Sequence, residues 1–118
     1  MRLRLAGLSH SSDDRFGTDL RDIHLEVRAG EIVGIAGVSG NGQQELLHAI
    51  SGEGPLAEKF PVQICGTEAG RMMPGRRRRA GLSFVPEERL GRGAVPSMSL
   101  AENALLTAAK SRGLVRHG

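Results

Sequence analysis

Six residues, Gly37-Val38-Ser39-Gly40-Asn41-Gly42, constrain this chain more than any others. They follow an apolar run, Ile32-Val33-Gly34-Ile35-Ala36, and precede a segment in which Leu46, Leu47 and Ile50 recur at helical spacing. Glycines at a strand-to-helix junction permit positive φ, so several backbone N–H groups can converge on one point while the helix N-terminus adds its partial positive charge. The pattern predicts a nest for phosphate. A tight turn that binds nothing is the other reading of such a glycine cluster taken alone.

On the P-loop template, Gly37 and Gly42 have the required spacing, but Gln43 and Gln44 stand where Lys and a hydroxyl residue would be. The Lys would contribute a charge-assisted hydrogen bond of about 1.5–3 kcal/mol, and the hydroxyl would ligate Mg²⁺. Phosphate binding can survive both losses; efficient hydrolysis is not expected to.

The rest of the chain supplies the setting. Leu3 and Leu5 begin with a period of two, and Leu8 follows, which predicts a strand before the polar Ser9–Asp14 loop. From Arg21 to Arg28 the alternation is clean, with Ile23, Leu25 and Val27 on one face, as in a half-buried antiparallel strand. The run Ile32–Ala36 is apolar on both faces and predicts a strand covered on both sides. A helix is expected from Gln43 to a stop at Gly52, then a linker to Pro61 and a short strand at Val62–Cys65. Pro74–Arg79 predicts a brief helix, and Leu82-Ser83-Phe84-Val85 before Pro86 a second buried strand. Glu87–Pro96 is a charged, glycine-punctuated loop. Ser99-Leu100-Ala101-Glu102 has capping-box spacing and predicts a helix from about Leu100 to Lys110.

Composition narrows the function classes. At 118 residues and 39% hydrophobic, the chain has a globular balance. Three aromatics, Phe16, Phe60 and Phe84, exclude the stacking platforms of single-strand binders. Sixteen basic against 13 acidic residues leave +3, but four of the bases form the run Arg76–Arg79, and without it the acids outnumber the bases by one. That run is read as a solvated helix face, and no nucleic acid is expected as a partner. The histidines, His10, His24, His48 and His117, lack ligand spacing. Lone Cys65 is read as a small buried hydrophobe, and the absence of a second cysteine favours a reducing compartment. No stretch approaches the roughly 20 apolar residues of a membrane span.

Three separated blocks carry a resemblance. Gly30 to Leu46, Phe84-Val85-Pro86-Glu87-Glu88-Arg89-Leu90-Gly91-Arg92-Gly93 and Ser99 to Asn103 closely resemble ABC transporter ATP-binding subunits. More narrowly, they resemble the second, C-terminal nucleotide-binding domain of the double-domain ATPases that drive bacterial simple-sugar and nucleoside importers, a group whose C-terminal P-loop is similarly degenerate. The resemblance implies an α/β P-loop NTPase fold of the ABC class, in part: an antiparallel β subdomain, a parallel-stranded core, and the start of a helical subdomain. It implies residues 1–86 as core and β subdomain, and 87–118 as the Q-loop region and the start of the helical subdomain. No Leu-Ser-Gly-Gly-Gln-like signature, Walker B segment or switch His occurs in the sequence, so the chain looks like the first half of such a domain.

By the same resemblance, ATP, with Mg²⁺ held weakly, is the expected ligand of Gly37, Ser39, Gly40, Asn41, Gly42, Gln43 and Gln44. Glu87 falls where the family's Q-loop glutamine senses nucleotide, and Phe16 lies in the region that supplies an adenine-stacking aromatic, although a plain loop or core Phe is an equal reading. Membrane-spanning permease subunits and a second nucleotide-binding domain are the implied partners, at the cytoplasmic face of the plasma membrane. The chain alone is not expected to turn over ATP. The alternative is a structural or regulatory module that keeps the fold and binds no nucleotide.

Overall fold

The structure, a computed structural model, describes residues 1–53, 61–87 and 94–112, with side chains to 106 in the last stretch. Most of the expected 52–61 linker, Phe60, Glu88, the 88–93 part of the charged loop and His117 lie outside the described residues. The chain divides into two compact units, Met1–Leu82 and Ser83 onward.

The first unit is organised by a four-stranded sheet. β1 (Leu3–His10) pairs with β2 (Leu20–Val27) on one edge and with β3 (Val62–Ile64) on the other, and β3 pairs with β4 (Thr67–Glu68). All three pairings are antiparallel. Leu5 and Leu8 are three residues apart, which would put them on opposite faces of a regular strand, yet both are buried. Register shifts on either side of Leu8 reconcile this: Ala6 pairs with His24 but Leu8 with Ile23. Gly7, at φ 78, and Asp22, at φ 47, absorb the extra residues, and the same irregularity turns Leu20 inward beside Ile23. A side chain on Gly7 would also crowd the Asp22 carboxylate at 3.2 Å.

One face of the sheet is closed by α1 (Gln43–Ser51). Leu5, Leu8, Leu20, Ala49, Val62, Ile64 and Ala69 form the core, with Leu46 and Ile50 packed against it. Each fully buried leucine contributes about 1.5–3 kcal/mol relative to exposure, so this small cluster dominates the stability of the unit. α1 ends where the sequence placed its stop, at Gly52, whose φ of 82 lets its N–H return to the His48 carbonyl.

Three expectations are corrected. Ile32–Ala36 is not a strand: residues 31–40 are exposed throughout, with Ile32 97% exposed. Leu82–Val85 is likewise not a strand, and Val85 is exposed. The parallel-stranded core that the resemblance implies is also not seen among the described residues, whose strand pairs are all antiparallel; an apolar run becomes a strand only where neighbours complete its hydrogen-bond ladder. Cys65 is exposed rather than buried, because with Gly66 it forms the two-residue turn between β3 and β4, both at positive φ (48 and 78).

The fourth correction concerns the arginine run. α2 (Pro74–Arg79) forms with Pro at its first position, and Arg76, Arg78 and Arg79 are exposed as expected. Arg77 is completely buried. Three bases fit a solvated face; the fourth points the other way because a helix turns about 100° per residue and α2 has an inner side.

In the second unit, α3 (Leu100–Arg112) begins with the capping box read from the sequence. Ser99 N–H donates to Glu102 Oε2 at 2.8 Å, and Glu102 N–H donates back to Ser99 Oγ at 3.2 Å. Asn103 closes the preceding turn, accepting from Val95 N–H at 2.7 Å and donating to the Val95 and Met98 carbonyls. No described helix is long and apolar enough to cross a membrane.

Candidate phosphate-binding loop

The loop runs from Gly37 into the first turn of α1. Gly40 and Gly42 have φ of 87 and 98, conformations that L side chains adopt only under strain. Gly42 is the N-cap of α1 and brings no side chain to cap it. The first-turn amides of Gln43, Gln44 and Glu45 therefore lack helical acceptors and lie at the positive end of the helix dipole. Gly42 is also buried, and a Cβ there would meet Leu20 Cδ2 at 3.3 Å and Thr18 Cγ2 at 3.4 Å. Its bareness serves both the turn and the close approach of the β1–β2 connection.

Gln43 behaves differently from a side chain waiting at the mouth of a site. Its carboxamide folds back across the loop, Oε1 accepting from Asn41 N–H at 3.0 Å and Nε2 donating to the Val38 carbonyl at 3.0 Å. A Cβ on Gly37 would come within 2.8 Å of Gln43 Nε2, so this glycine leaves room for the staple. The amide thus holds the loop's shape without charge, while Ser39, Asn41 and Gln44 remain exposed.

Two residues that brace the loop were not read from the sequence. Thr18 Oγ1 donates to the Gly40 carbonyl at 2.9 Å, and Thr18 N–H donates to Glu45 Oε1 at 3.0 Å. Glu45 stands three residues after the N-cap, a spacing that was legible, but its carboxylate is spent on Thr18, 27 residues away, and no local pattern signals that partner. This also removes an acid from the immediate path of an anion. Phe16, two residues before Thr18, is 90% exposed, which excludes a core role. Its N–H donates to Asp14 Oδ1 at 3.1 Å, fixing the turn that presents the ring. Glu87 belongs to the second unit and is exposed.

The structure therefore brings Gly37, Ser39, Gly40, Asn41, Gly42, Gln43 and Gln44 together as one loop and helix start, while Glu87 belongs to the other unit. Curated relatives carry the same stretch. A ribose import ATP-binding protein of Rubrobacter xylanophilus is 48% identical over 87 residues, covering 74% of this chain and 17% of that protein. The chain is homologous to sugar and nucleoside import ATP-binding proteins of the ABC class. A guanosine import ATP-binding protein of Bacillus subtilis is 37% identical over 94 residues, covering 80% of the chain and 18% of its own length. A xylose import ATP-binding protein of Burkholderia ambifaria is 37% identical over 86 residues, covering 73% and 17%. The chain spans between 16% and 19% of the length of such ABC relatives. No family model and no solved structure matches it.

Proposed function

We propose that this chain is the phosphate-loop segment of the second nucleotide-binding domain of an ABC importer ATPase for a simple sugar or nucleoside, and that it binds the phosphates of ATP. The observation that carries the reading is the uncapped N-terminus of α1 behind two glycines at positive φ, in a stretch homologous to import ATP-binding proteins. Binding rests on the backbone: the Gly40–Gln44 amides supply the donors, and Thr18 and the Gln43 carboxamide hold them in place. Asn41 N–H must leave Gln43 Oε1 to meet phosphate, while the amides of the first turn of α1 are offered without reorganisation, which lowers the ordering cost of binding.

The residues do not fit Mg²⁺. Gln44 carries an amide where a ligating hydroxyl would stand, and among the described residues no group of three or more His, Cys, Asp or Glu could hold a metal ion. This chain by itself binds nucleotide without turnover. In the importer the remaining parts come from outside it: a second nucleotide-binding domain to close over the nucleotide, and permease subunits at the cytoplasmic face of the membrane to receive the motion.

Calorimetric titration of the chain with ATP, and of Gln43→Lys alongside it, tests the proposal. A lysine there can still reach the Val38 carbonyl and adds a charged bond to phosphate, so affinity should rise roughly tenfold to a hundredfold. No binding by either protein would favour the structural module that binds nothing.

A further inference from the structure

Arg77 has no place in the reading above, and its environment is unusual for an arginine. It is fully buried, burial lowers its pKa from the ordinary value, and no carboxylate pairs with it among the described residues. Its partners are carbonyls. Nη1 donates to Ala49 and to Ile50, the latter at 2.8 Å, Nε donates to Met72 at 2.9 Å, and Nη2 reaches Gly70 at 3.4 Å. Ala49 and Ile50 are among the last residues of α1, whose carbonyls have no helical donors and whose dipole end is negative. A planar fork of five donors suits this cage; an ammonium, a point donor, does not. Gly52 makes room for it, since a Cβ there would lie 2.8 Å from Arg77 Nε and 3.1 Å from Cζ.

One end of α1 is thus the phosphate loop, and the other is clasped by a cation. The loop end carries no side-chain cap, so the axis of this nine-residue helix is set by its apolar face, by Glu45 on Thr18, and by Arg77. We propose that Arg77 is a positioning residue for the phosphate loop: it anchors the C-terminal end of α1 to the 70–77 segment and so keeps the Gly40–Gln44 amides in register for an anion. Removing the guanidinium leaves the Ala49 and Ile50 carbonyls buried without donors, and the helix must shift or admit water to satisfy them. A short rigid helix transmits a shift at one end to the other, about 13 Å away at 1.5 Å per residue.

The ligand in this inference rests on the nucleotide reading, but the register of the loop has its own measurement. Arg77→Ala and Arg77→Lys would be compared with the unaltered chain by amide hydrogen exchange, by ATP titration and by thermal unfolding. In Arg77→Ala, exchange of the two hydrogen-bonded amides of the loop and helix start, Asn41 N–H on Gln43 Oε1 and Leu46 N–H on the Gly42 carbonyl, should accelerate about tenfold, the weight of one charged hydrogen bond, while β1 and β2 amides keep their protection. ATP affinity should fall by a similar factor, and millimolar propylguanidine should restore both. Arg77→Lys, which keeps charge and stem, should fall between. Loop exchange and affinity unchanged in a folded Arg77 variant, even with a lower melting temperature, would overturn the inference and leave Arg77 a purely structural clasp. If Arg77→Ala does not fold, loop exchange in Arg77→Lys decides in the same way. If the unaltered chain binds no ATP, the nucleotide reading fails and the exchange arm still decides the role of Arg77.

Discussion

Two stretches of similar apolar content end in opposite environments. Leu5 and Leu8 of β1 are buried to within 1% exposure, whereas Ile32 and Ile35 in the run before the phosphate loop are 97% and 59% exposed, and Val38 at the loop's start is 76% exposed. The difference lies in what stands beside them. β1 has a hydrogen-bonded strand on each edge, so its side chains face a wall that α1 can close. The 31–38 segment has no ladder partner among the described strands, so its backbone stays with solvent and its side chains go with it. Apolar residues state a demand for cover; neighbouring strands decide whether it is met.

The largest test of this contrast is a pair of truncations. Leu8→Ala should lower unfolding stability by about 2–5 kcal/mol, since it removes core volume where the bulge leaves little scope for collapse. Ile32→Ala should stay within about 0.5 kcal/mol, as surface changes do. Urea denaturation of both variants measures the difference. Equal losses would mean that the 31–38 run is packed in solution, and the comparison would break.

A second pair sets the loop against the same run. Gly42→Ala forces a side chain into φ 98 and towards Leu20 at 3.3 Å, and should cost about 1–3 kcal/mol. Gly34→Ala meets nothing within 4 Å and should be near neutral. Thermal unfolding ranks the two. A neutral Gly42→Ala would show that the loop does not hold its left-handed turn against the β1–β2 connection.

What the sequence made legible follows the same division. α1, its glycine stop, the alternation of β2 and the capping box of α3 are written in neighbours a few residues apart, and each appears where it was expected. The left-handed glycines of the loop and the start of α1 were legible because glycine, chain direction and helix start are all local; that these residues hold phosphate is the proposal. The strand expected at Ile32–Ala36 failed because a two-faced apolar run does not name its partners. Arg77 failed for a related reason: four consecutive arginines look alike in sequence, and only the position of Ala49, Ile50, Gly70 and Met72 selects which one turns inward. Thr18 was missed because it acts on Gly40 from 22 residues away.

The smallest expected effect sharpens the contrast from the second unit, where order at the start of α3 comes from caps rather than from a core. Ser99→Ala removes the hydroxyl that Glu102 N–H donates to, a loss of about 0.5–2 kcal/mol to the helix. The other half of the box is titratable. The Ser99 backbone N–H, and after it the Ser99 hydroxyl, bond the Glu102 carboxylate and hold its pKa below the ordinary value of 4.5. A depressed folded-state pKa means that the ionised form favours the cap, so its contribution is complete above about pH 4.5 and is lost as pH falls through the lowered value. Glu102→Gln can still accept from Ser99 N–H but does not titrate, so its cap should weaken slightly at neutral pH and lose its acid dependence. The Ser99 amide shift, followed from pH 7 to 2 by NMR, reads this directly, with β1 amides as the reference. The Ser99 signal should move in acid while Leu5 and Leu8, among apolar neighbours, hold; a joint transition of both would show that the two units unfold as one and that the cap is not a local device.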